Sequence, residues 1–390
     1  MFECFDVVDE RLSSTTSGDE SVLREVAVAS RGLIRCLQIG RRSICVAVAS
    51  IAPTVAAAPA TPSGTLLVYP GDARPADAVL VQLPAGKRQA LPQSRLSRAY
   101  SEKDDRWFAN NSPAASGELV RVDGNGNIDI FDRRSMTRVA GFALNSVPGA
   151  DQPKVYGPVK PSPDGRYLLT YWKKSYRKGK PDLVVFDRTG GVVESGSQFT
   201  YDRFAHRNAV AWLPDGRYVY LAGERIVLQA VGSSKLQVSK LALPPAASSA
   251  DADLAVSPDG RRLLMSLHAS SKDKGGRATE HGLLFISDLD GSNLRQLTMP
   301  STRIRADGLR VAHRNATWSP DGRWVAFAPR EGGAYGAPFF RNACPLVTIV
   351  PAEGDPVPID GLRDHERLHV RVPGSSGPLR ACGDLAWLPV

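Results

Sequence analysis

The chain has 390 residues, with 49 Lys or Arg against 40 Asp or Glu, which gives a formal net charge of +9. This charge favours anionic partners or surfaces, but no recognition helix, RNA-binding sheet motif or long basic run indicates nucleic acid. The sequence also lacks a phosphate-binding loop and the G-x-S-x-G motif of serine hydrolases.

The first 60 residues differ in character from the rest and predict a leader. Residues 1–32 are polar and lack strand alternation. Arg41-Arg42, the apolar run from Ile44 to Ala57 and Ala58-Pro59-Ala60 follow in the order of a signal peptide with an A-x-A cleavage site. We expect a mis-called start plus a signal peptide over 1–60 and export to the periplasm or exterior. The alternative is a disordered tail before an N-terminal anchor, although the run is short for a stable membrane span.

Residues 61–390 contain a phrase that occurs four times and predicts a strand, a tight turn and a second strand. Pro suits the first corner of a type I turn, Asp the second, and Gly the following position with φ > 0. Apolar residues flank each turn. The four turns are Pro163-Asp164-Gly165, Pro214-Asp215-Gly216, Pro258-Asp259-Gly260 and Pro320-Asp321-Gly322.

Each hairpin is followed by a third apolar strand, and six such strands can be counted. They are AVLVQLPAGK, IDIFDRRSMT, LVVFDRTGG, IVLQAVGSS, LLFISDLDGS and LVTIVPAEGD. A fifth, degenerate hairpin is predicted at Asp104-Asp105-Arg106-Trp107, by its similarity to Asp321-Gly322-Arg323-Trp324. The C-terminal Trp387-Leu388-Pro389 resembles Trp212-Leu213-Pro214 and ends where a turn would begin, so we expect this strand to pair with the N-terminal strands.

A strand unit repeated every few tens of residues predicts a propeller or solenoid. We expect an all-β, six-bladed β-propeller over residues 61–390, closed by the C-terminal strand so that few sheet edges remain open. A β-sandwich is the alternative, but sandwiches do not repeat one turn phrase at this period.

The phrase WSPDGR, with LLFISDLDGSNLRQLT, resembles the WD-like repeats of TolB-type β-propellers. The resemblance covers roughly residues 61–390. It implies the fold but not an activity, because one fold hosts many functions. TolB itself carries an additional α/β domain before its propeller, and this sequence has no counterpart of it.

Two cysteines, Cys344 and Cys382, remain after the predicted cleavage site, and both lie in the last repeat. In an oxidising compartment they are expected to form a disulfide. Two buried free thiols are the alternative.

Two motifs resemble metal sites but lack required ligands. His365-Glu366-Arg367-Leu368-His369 has the zincin spacing, but the sequence around it is β-like and offers no third ligand. The segment from Asp123 to Asp129 resembles a calcium loop, but it lacks the central Gly and the final Glu and is predicted to be a hairpin turn. We therefore expect no metal and no cofactor.

The candidate binding residues come from two matching segments, AHRNAVAWLP and AHRNATWSP, and from three long insertions predicted as second-to-third loops. In an up-and-down blade these lie on the rim opposite the Pro-Asp-Gly turns, and binding residues are common on loops of rigid scaffolds. The candidates are His206, Arg207, Asn208, His313, Arg314, Asn315, Lys173, Arg177, Tyr335 and Phe339.

Two classes of function fit these residues. The first is a monomeric, non-catalytic binding protein for a protein, peptide or anionic glycan of the cell envelope, with Arg binding carboxylates. The second is a channel-site enzyme such as a lyase acting on acidic oligosaccharides, in which His would move the proton. The absence of a paired set of catalytic carboxylates favours binding. The alternative for the His-Arg-Asn segments is that they only satisfy strand ends.

Overall fold

The structure, a computed structural model, describes part of the chain. The described residues are 24–27, 33–39, 42–47, 61–69, 78–91, 106–109, 117–155, 157–175, 181–196, 209–245, 247–248, 253–272, 275–276, 278–332, 345–359, 370, 378–381 and 385–389. The chain divides into two units, Met1–Thr61 and Pro62–Val390.

The first unit contains an antiparallel sheet in the order β1-β2-β3, formed by β1 (Arg24–Ala27), β2 (Leu33–Ile39) and β3 (Arg42–Ala47). The sequence predicted no strand over residues 1–32, and β1 corrects this. β1 forms because it pairs with β2, and this pairing is not visible in the alternation of residue types along the sequence. Residues 48–60 lie outside the described residues, so the leader and its cleavage site stay predictions.

The second unit consists almost entirely of short strands. Its first half contains β4 (Gly64–Val68), β5 (Val79–Leu83), β6 (Arg88–Ala90), β7 (Arg106–Ala109), β8 (Glu118–Val122), β9 (Asn127–Asp132), β10 (Arg138–Ala143), a 3-10 helix (Leu144–Ser146), β11 (Lys154–Val155), β12 (Lys160–Pro161), β13 (Tyr167–Lys173), β14 (Asp182–Asp187) and β15 (Val192–Gly196).

The second half contains β16 (Val210–Trp212), β17 (Arg217–Ala222), β18 (Arg225–Ala230), β19 (Leu236–Lys240), β20 (Ala247–Ser248), β21 (Leu254–Val256), β22 (Arg262–Lys272), β23 (Ala278–Asp288), β24 (Arg295–Gln296), β25 (Thr298–Pro300), α1 (Thr302–Ala306), β26 (Arg310–Trp318), β27 (Trp324–Gly332), β28 (Thr348–Pro351), β29 (Val357–Ile359) and β30 (Ala386–Leu388). Within these ranges, no helix is both long and apolar enough to cross a bilayer.

The strands form successive antiparallel sheets, which we number by chain order. Sheet 1 is β30-β4-β5-β6, sheet 2 is β7-β8-β9-β10, sheet 3 contains β11 to β15, and sheet 4 is β16-β17-β18-β19. Sheet 5 contains β20 to β24 and sheet 6 contains β26-β27-β28; the two are joined where Gly282 of β23 pairs in parallel with Ala312 of β26. This repeated up-and-down arrangement is that of a β-propeller.

Apolar clusters fill the space between successive sheets, so the inner strands are buried on both faces, whereas outer strands such as β6 and β19 are exposed. In the described residues one cluster lies between each of the pairs 1–2, 2–3, 3–4, 4–5, 5–6 and 6–1. Each sheet also has a first strand at one edge; these are β30, β7, β12, β16, β21 and β26. Trp107, Trp212, Trp318 and Trp387 lie on first strands and are buried.

The four Pro-Asp-Gly turns confirm the predicted strand-turn-strand units. In the turn after β26, the Gly322 amide donates to the Ser319 carbonyl at 2.9 Å, and Gly322 has φ 68°. The other three glycines have the same hydrogen bond and a positive φ. The strands on both sides of each turn pair antiparallel. All six predicted third strands are also present, as β5, β9, β14, β18, β23 and β28.

The predicted fifth hairpin was wrong in its placement. Arg106–Ala109 is the first strand β7 and not a second strand, because it pairs only with β8 in the described part of sheet 2. The second strand is β8, and the connection is residues 110–116. The misplaced segment has no Gly to define the turn, so its similarity to the turn at Asp321 did not determine the register.

The three insertions predicted as loops are residues 173–182, 268–282 and 329–343, and the prediction was wrong for the second of them. Residues 268–282 are largely strand, because β22 and β23 stay paired in register from Arg262↔Asp288 out to Lys272↔Ala278. The alternation of apolar and polar residues in this segment is weak, and the pairing of the two long strands determines its structure instead. Of the other two insertions, 176–180 and 333–343 lie outside the described residues.

Candidate functional site at the mouth of the propeller

One end of the second unit gathers the starts of several first strands and the middle of β26, and we call it the mouth. It comprises Lys160, Val210, the segment Asp253–Leu254, and Arg314 with Asn315. The predicted geometry placed these strand entries opposite the Pro-Asp-Gly turns, and the hairpins of the first strands have this polarity.

Lys160 ties three sheets together at the mouth. Its half-buried side chain leaves sheet 3, and Nζ donates to the carbonyl of Val210 at 2.6 Å and to the carbonyl of Leu254 at 3.3 Å. The Trp212 indole donates back to the Lys160 carbonyl at 2.8 Å. The sequence analysis did not identify Lys160. The only sequence signal was a Lys three residues before the Pro of a Pro-Asp-Gly turn, where the other repeats have Ala or Thr.

Asn315 and Asp253 link sheet 6 to sheet 5. The Asn315 amide donates to Asp253 Oδ2 at 2.9 Å, and Asn315 has φ 56°, an uncommon value for a residue other than glycine. Asp253 is buried and directly precedes Leu254. The segment Asp253–Leu254 therefore receives donors from sheets 3 and 6.

His313 lies in the core between sheets 5 and 6, with no exposed surface. Nδ1 lies 2.7 Å from the Thr298 hydroxyl, and the ring packs on Phe327 with centroids 5.1 Å apart. Burial, followed by the charge of His281, lowers the pKa of His313 from 6.5 to about 3. This imidazole is neutral at physiological pH and is not part of an open surface.

His281 and Ser271 form a contact that the sequence analysis missed. The Ser271 hydroxyl lies 2.8 Å from His281 Nε2, which resembles a nucleophile beside its base. However, the Val311 amide donates to His281 Nδ1 at 3.4 Å, so in the neutral ring the proton is on Nε2. Nε2 therefore donates to Ser271 and cannot accept its proton. The pair is a structural contact.

The two buried histidines predict an acid-dependent loss of stability. Burial, followed by the charges of Arg310 and Arg305, lowers the pKa of His281 from 6.5 to about 4. A lowered histidine pKa means that the unfolded chain binds the proton more tightly. Stability is therefore full above pH 6.5 and falls as the pH drops from 6.5 towards 4.

We expect the melting temperature of His281→Gln to fall less over this interval than that of the unchanged protein, because glutamine does not titrate. Thermal melts at half-unit pH steps measure it. His268→Gln, a change at a less buried histidine, should keep the original slope. Equal slopes in all three proteins would contradict the assignment.

The structure brings only part of the predicted binding set together. Arg314 and Asn315 lie at the mouth. Lys173 ends β13, opposite Lys154 of β11, on the rim of sheet 3 at the same end. The remaining candidates lie outside the described residues; they are His206, Arg207, Asn208, Arg177, Tyr335 and Phe339.

The end opposite the mouth is occupied by the turns themselves. A Cβ on Gly260 would lie 2.9 Å from Pro214 Cδ, and one on Gly322 would lie 3.7 Å from Pro258 Cδ. The last two turns thus lie close to the proline of the preceding repeat, whereas a Cβ on Gly216 would have no neighbour within 4 Å.

The predicted hairpin at Asp123 is confirmed. Asp123 Oδ1 accepts hydrogen bonds from the amides of Asn125 and Asn127 at 2.9 and 2.8 Å, which uses the carboxylate as a turn cap. His365 and His369 lie outside the described residues. Among the residues that the structure describes, no group of three or more His, Cys, Asp or Glu could hold a metal ion.

Solved structures that are similar to this chain include TolB and a β-propeller domain. TolB from Acinetobacter baumannii matches with 15% identity over 86% of this chain and 80% of that chain, at a TM-score of 0.44. The Cps50 (Swd1) β-propeller domain of Myceliophteria thermophila matches with 13% identity over 76% of this chain and 88% of that chain, at a TM-score of 0.38. No family model and no curated protein matches the sequence. The fold assignment therefore rests on the strand pairing described above.

Proposed function

We propose that this propeller is a non-catalytic binding protein whose ligand, a carboxylate-rich protein or peptide segment, docks at the mouth. The observation that carries the proposal is the arrangement around Asp253–Leu254. Lys160 of sheet 3 places its ammonium beside this segment, Arg314 directly precedes the Asn315 that is bonded to Asp253, and sheets 3 and 6 are thus both bonded to the segment. A rigid, cationic rim suits anionic groups, since little ordering is required on binding.

The net charge and the rim of sheet 3 support an anionic ligand. The chain without its first 60 residues carries 43 basic and 33 acidic residues, or +10. Lys173 and Lys174 add positive charge at the same end as Lys160. A uronate-bearing glycan offers the same carboxylates and is the alternative ligand.

A lyase is the less favoured function. Such an enzyme needs a histidine that exchanges protons near neutral pH at the substrate. His313 is buried, and its pKa of about 3 keeps it neutral there. Binding without cleavage is therefore the better reading of the mouth.

The fold proposal that accompanies this function is a ring of six blades closed by the C-terminal strand. Support comes from β30, whose residues Ala386, Trp387 and Leu388 pair antiparallel with Leu67, Leu66 and Thr65 of β4. The first strands also contact one another in succession, including β26 with β30 and β30 with β7. A closed ring would present the mouth on a single rigid face.

We further propose that the protein is exported, is cut after Ala60 and carries a Cys344–Cys382 disulfide. Both cysteines lie outside the described residues. Their described neighbours support the pairing: the Ala381 amide donates to the Pro345 carbonyl at 2.9 Å, and Leu346 pairs antiparallel with Arg380.

Intact mass and non-reducing peptide mapping of the protein recovered from the periplasm or medium test this prediction. We expect a chain that begins at Thr61 and a peptide that joins Cys344 to Cys382. The entropy model of disulfides assigns such a loop roughly 4 kcal/mol. Recovery from the cytoplasm with Met1 attached would contradict export, and two free thiols in the exported protein would contradict the disulfide.

The binding proposal is tested by replacing Arg207 and Arg314 together with alanine. We expect capture of a poly-glutamate peptide to weaken at least tenfold, about 1.4 kcal/mol, with a nearly unchanged melting temperature. Capture by the unchanged protein should also fall with added salt, because exposed charges are screened. Titration of labelled peptide measures both effects, and Arg166→Ala at the opposite end serves as the matched control.

Three other results are informative. Loss of folding in the double variant would make the arginines structural. Unchanged capture in the double variant with loss in Arg166→Ala would move the binding face to the turns. Capture of oligogalacturonate in preference to poly-glutamate would replace the peptide by the glycan.

A further inference from the structure

We propose that Asp253 is a positioning residue, which holds a β-bulge in β26 and thereby determines that Arg314 projects from the face of sheet 6 that lies against sheet 1. The inference rests on the proposed function of the mouth, because it concerns how the ligand-binding arginine is presented.

The bulge is defined by the register of β26 against β27. Arg314 pairs with Ala328 and Thr317 pairs with Ala326, so Asn315 and Ala316 together oppose the single residue Phe327. One extra residue on a strand reverses the face on which all later side chains lie.

The core shows what this extra residue achieves. His313 packs on Phe327, and Trp318 belongs to the same apolar cluster as Phe327, between sheets 5 and 6. These two residues are five positions apart, and in an unbroken strand they would point to opposite faces. The bulge allows both to enter the same core.

The matching segment in the sequence has a different spacing. His206 and Trp212 are six positions apart, an even number that needs no bulge to place both on one face. The one-residue difference between the two His-Arg-Asn segments is therefore compensated by the bulge at Asn315–Ala316.

Arg314 takes the opposite face as a consequence. Its partner Ala328, together with Ala326 opposite Thr317, belongs to the apolar cluster between sheets 6 and 1. Arg314 and Thr317 hence share the face towards sheet 1, where the Thr317 hydroxyl accepts a hydrogen bond from the Trp387 amide at 3.3 Å.

Two contacts from sheet 5 hold the backbone on both sides of Arg314. The Ser266 hydroxyl donates to the His313 carbonyl at 2.7 Å, and Asp253 Oδ2 accepts from the Asn315 amide at 2.9 Å. Asp253 is itself held, because its carbonyl accepts from the Ser266 amide at 3.1 Å. The Asp253 carboxylate is thus the acceptor that satisfies the bulged amide, and it offsets the cost of the left-handed φ at Asn315.

Removal of this acceptor takes away the hydrogen bond that the Asn315 amide donates to Asp253. The strand can regain a ladder bond by slipping one residue, and such a slip exchanges the faces of Arg314 and Asn315. Asp253 would then affect binding through Arg314 alone.

The experiment combines Asp253→Ala, Asp253→Asn and Arg314→Ala, with two readouts. In poly-glutamate titration we expect Asp253→Ala to weaken capture about as much as Arg314→Ala, and the double variant to bind no more weakly than Arg314→Ala. Asp253→Asn keeps an oxygen acceptor and should restore capture. Arg166→Ala, at the end opposite the mouth, is the control that should bind normally.

The second readout needs no ligand: the Arg314 Nε–H resonance in protein labelled with ¹⁵N-arginine. We expect it to shift in Asp253→Ala and to stay in place in Asp253→Asn. Additive losses in the double variant, failure of Asn to rescue, or an unmoved resonance in Asp253→Ala would overturn the proposal. If the unchanged protein captures no poly-glutamate, the proposed function fails, and the resonance still decides whether Asp253 positions Arg314.

Discussion

Replacement of Trp387 by alanine is expected to lower the free energy of unfolding by about 3–5 kcal/mol, the range for a buried tryptophan. Trp387 is fully buried on β30, and its indole donates to the Ser63 carbonyl at 3.1 Å. A Cβ on Gly64 would lie 2.5 Å from the indole nitrogen, which shows how closely β4 approaches this side chain. Chemical denaturation measures the change.

Val238→Ala is the control, because Val238 is half-exposed on an outer strand and its loss should cost less than about 0.5 kcal/mol. Truncation before Asp384 extends the test, since it removes β30 and leaves β4 with an unpaired edge. A truncated protein that melts at the original temperature would contradict the proposal that β30 closes the ring by pairing with β4.

Replacement of Asp129 by alanine is expected to cost about 3 kcal/mol, because it removes the buried carboxylate from a charge pair with a largely buried arginine. Asp129 is buried on β9 and bonds Arg121 and Arg138, each at 2.6 Å. Arg121 is also largely buried, with 12% of its side chain exposed. The double change Asp129→Ala with Arg121→Met should recover part of the loss, since it also removes the buried positive charge that Asp129 balances.

Glu353 provides a matched control, because it also contacts two arginines, Arg262 and Arg295, but is 70% exposed. Glu353→Ala is expected to cost less than about 1 kcal/mol, as for surface ion pairs in general. Equal losses at Asp129 and Glu353 would contradict the role of burial. Both variants are compared by denaturant unfolding in the same buffer.

The local elements could be predicted because their causes are local. A Pro-Asp-Gly turn followed by Arg specifies its own conformation, and the turns at Gly165 and Gly322 formed as expected. The degenerate hairpin at Asp104 was misplaced because it has no glycine, so the local sequence does not specify a turn there. For the long insertion at 268–282, the weak alternation gave no sign of the paired strands β22 and β23.

The candidate site was predicted less completely, because its geometry depends on distant partners. Arg314 was found by its repeat, whereas Lys160 and Asp253 were missed. Nothing near Lys160 in the sequence indicates that its ammonium reaches Val210 and Leu254, which are 50 and 94 residues away. His313 was expected on a rim, and the bulge that places it in the core depends on residues of another sheet.

The sequence by itself determined the repeated hairpins, the six third strands and the all-β class, because turn chemistry and apolar alternation act between near neighbours. Only the tertiary structure decided which strand begins sheet 2, how β30 pairs with β4, and which face of β26 carries Arg314. These features depend on the register between segments far apart in the chain. A shift of one residue in that register exchanges buried and exposed side chains without any change in local pattern.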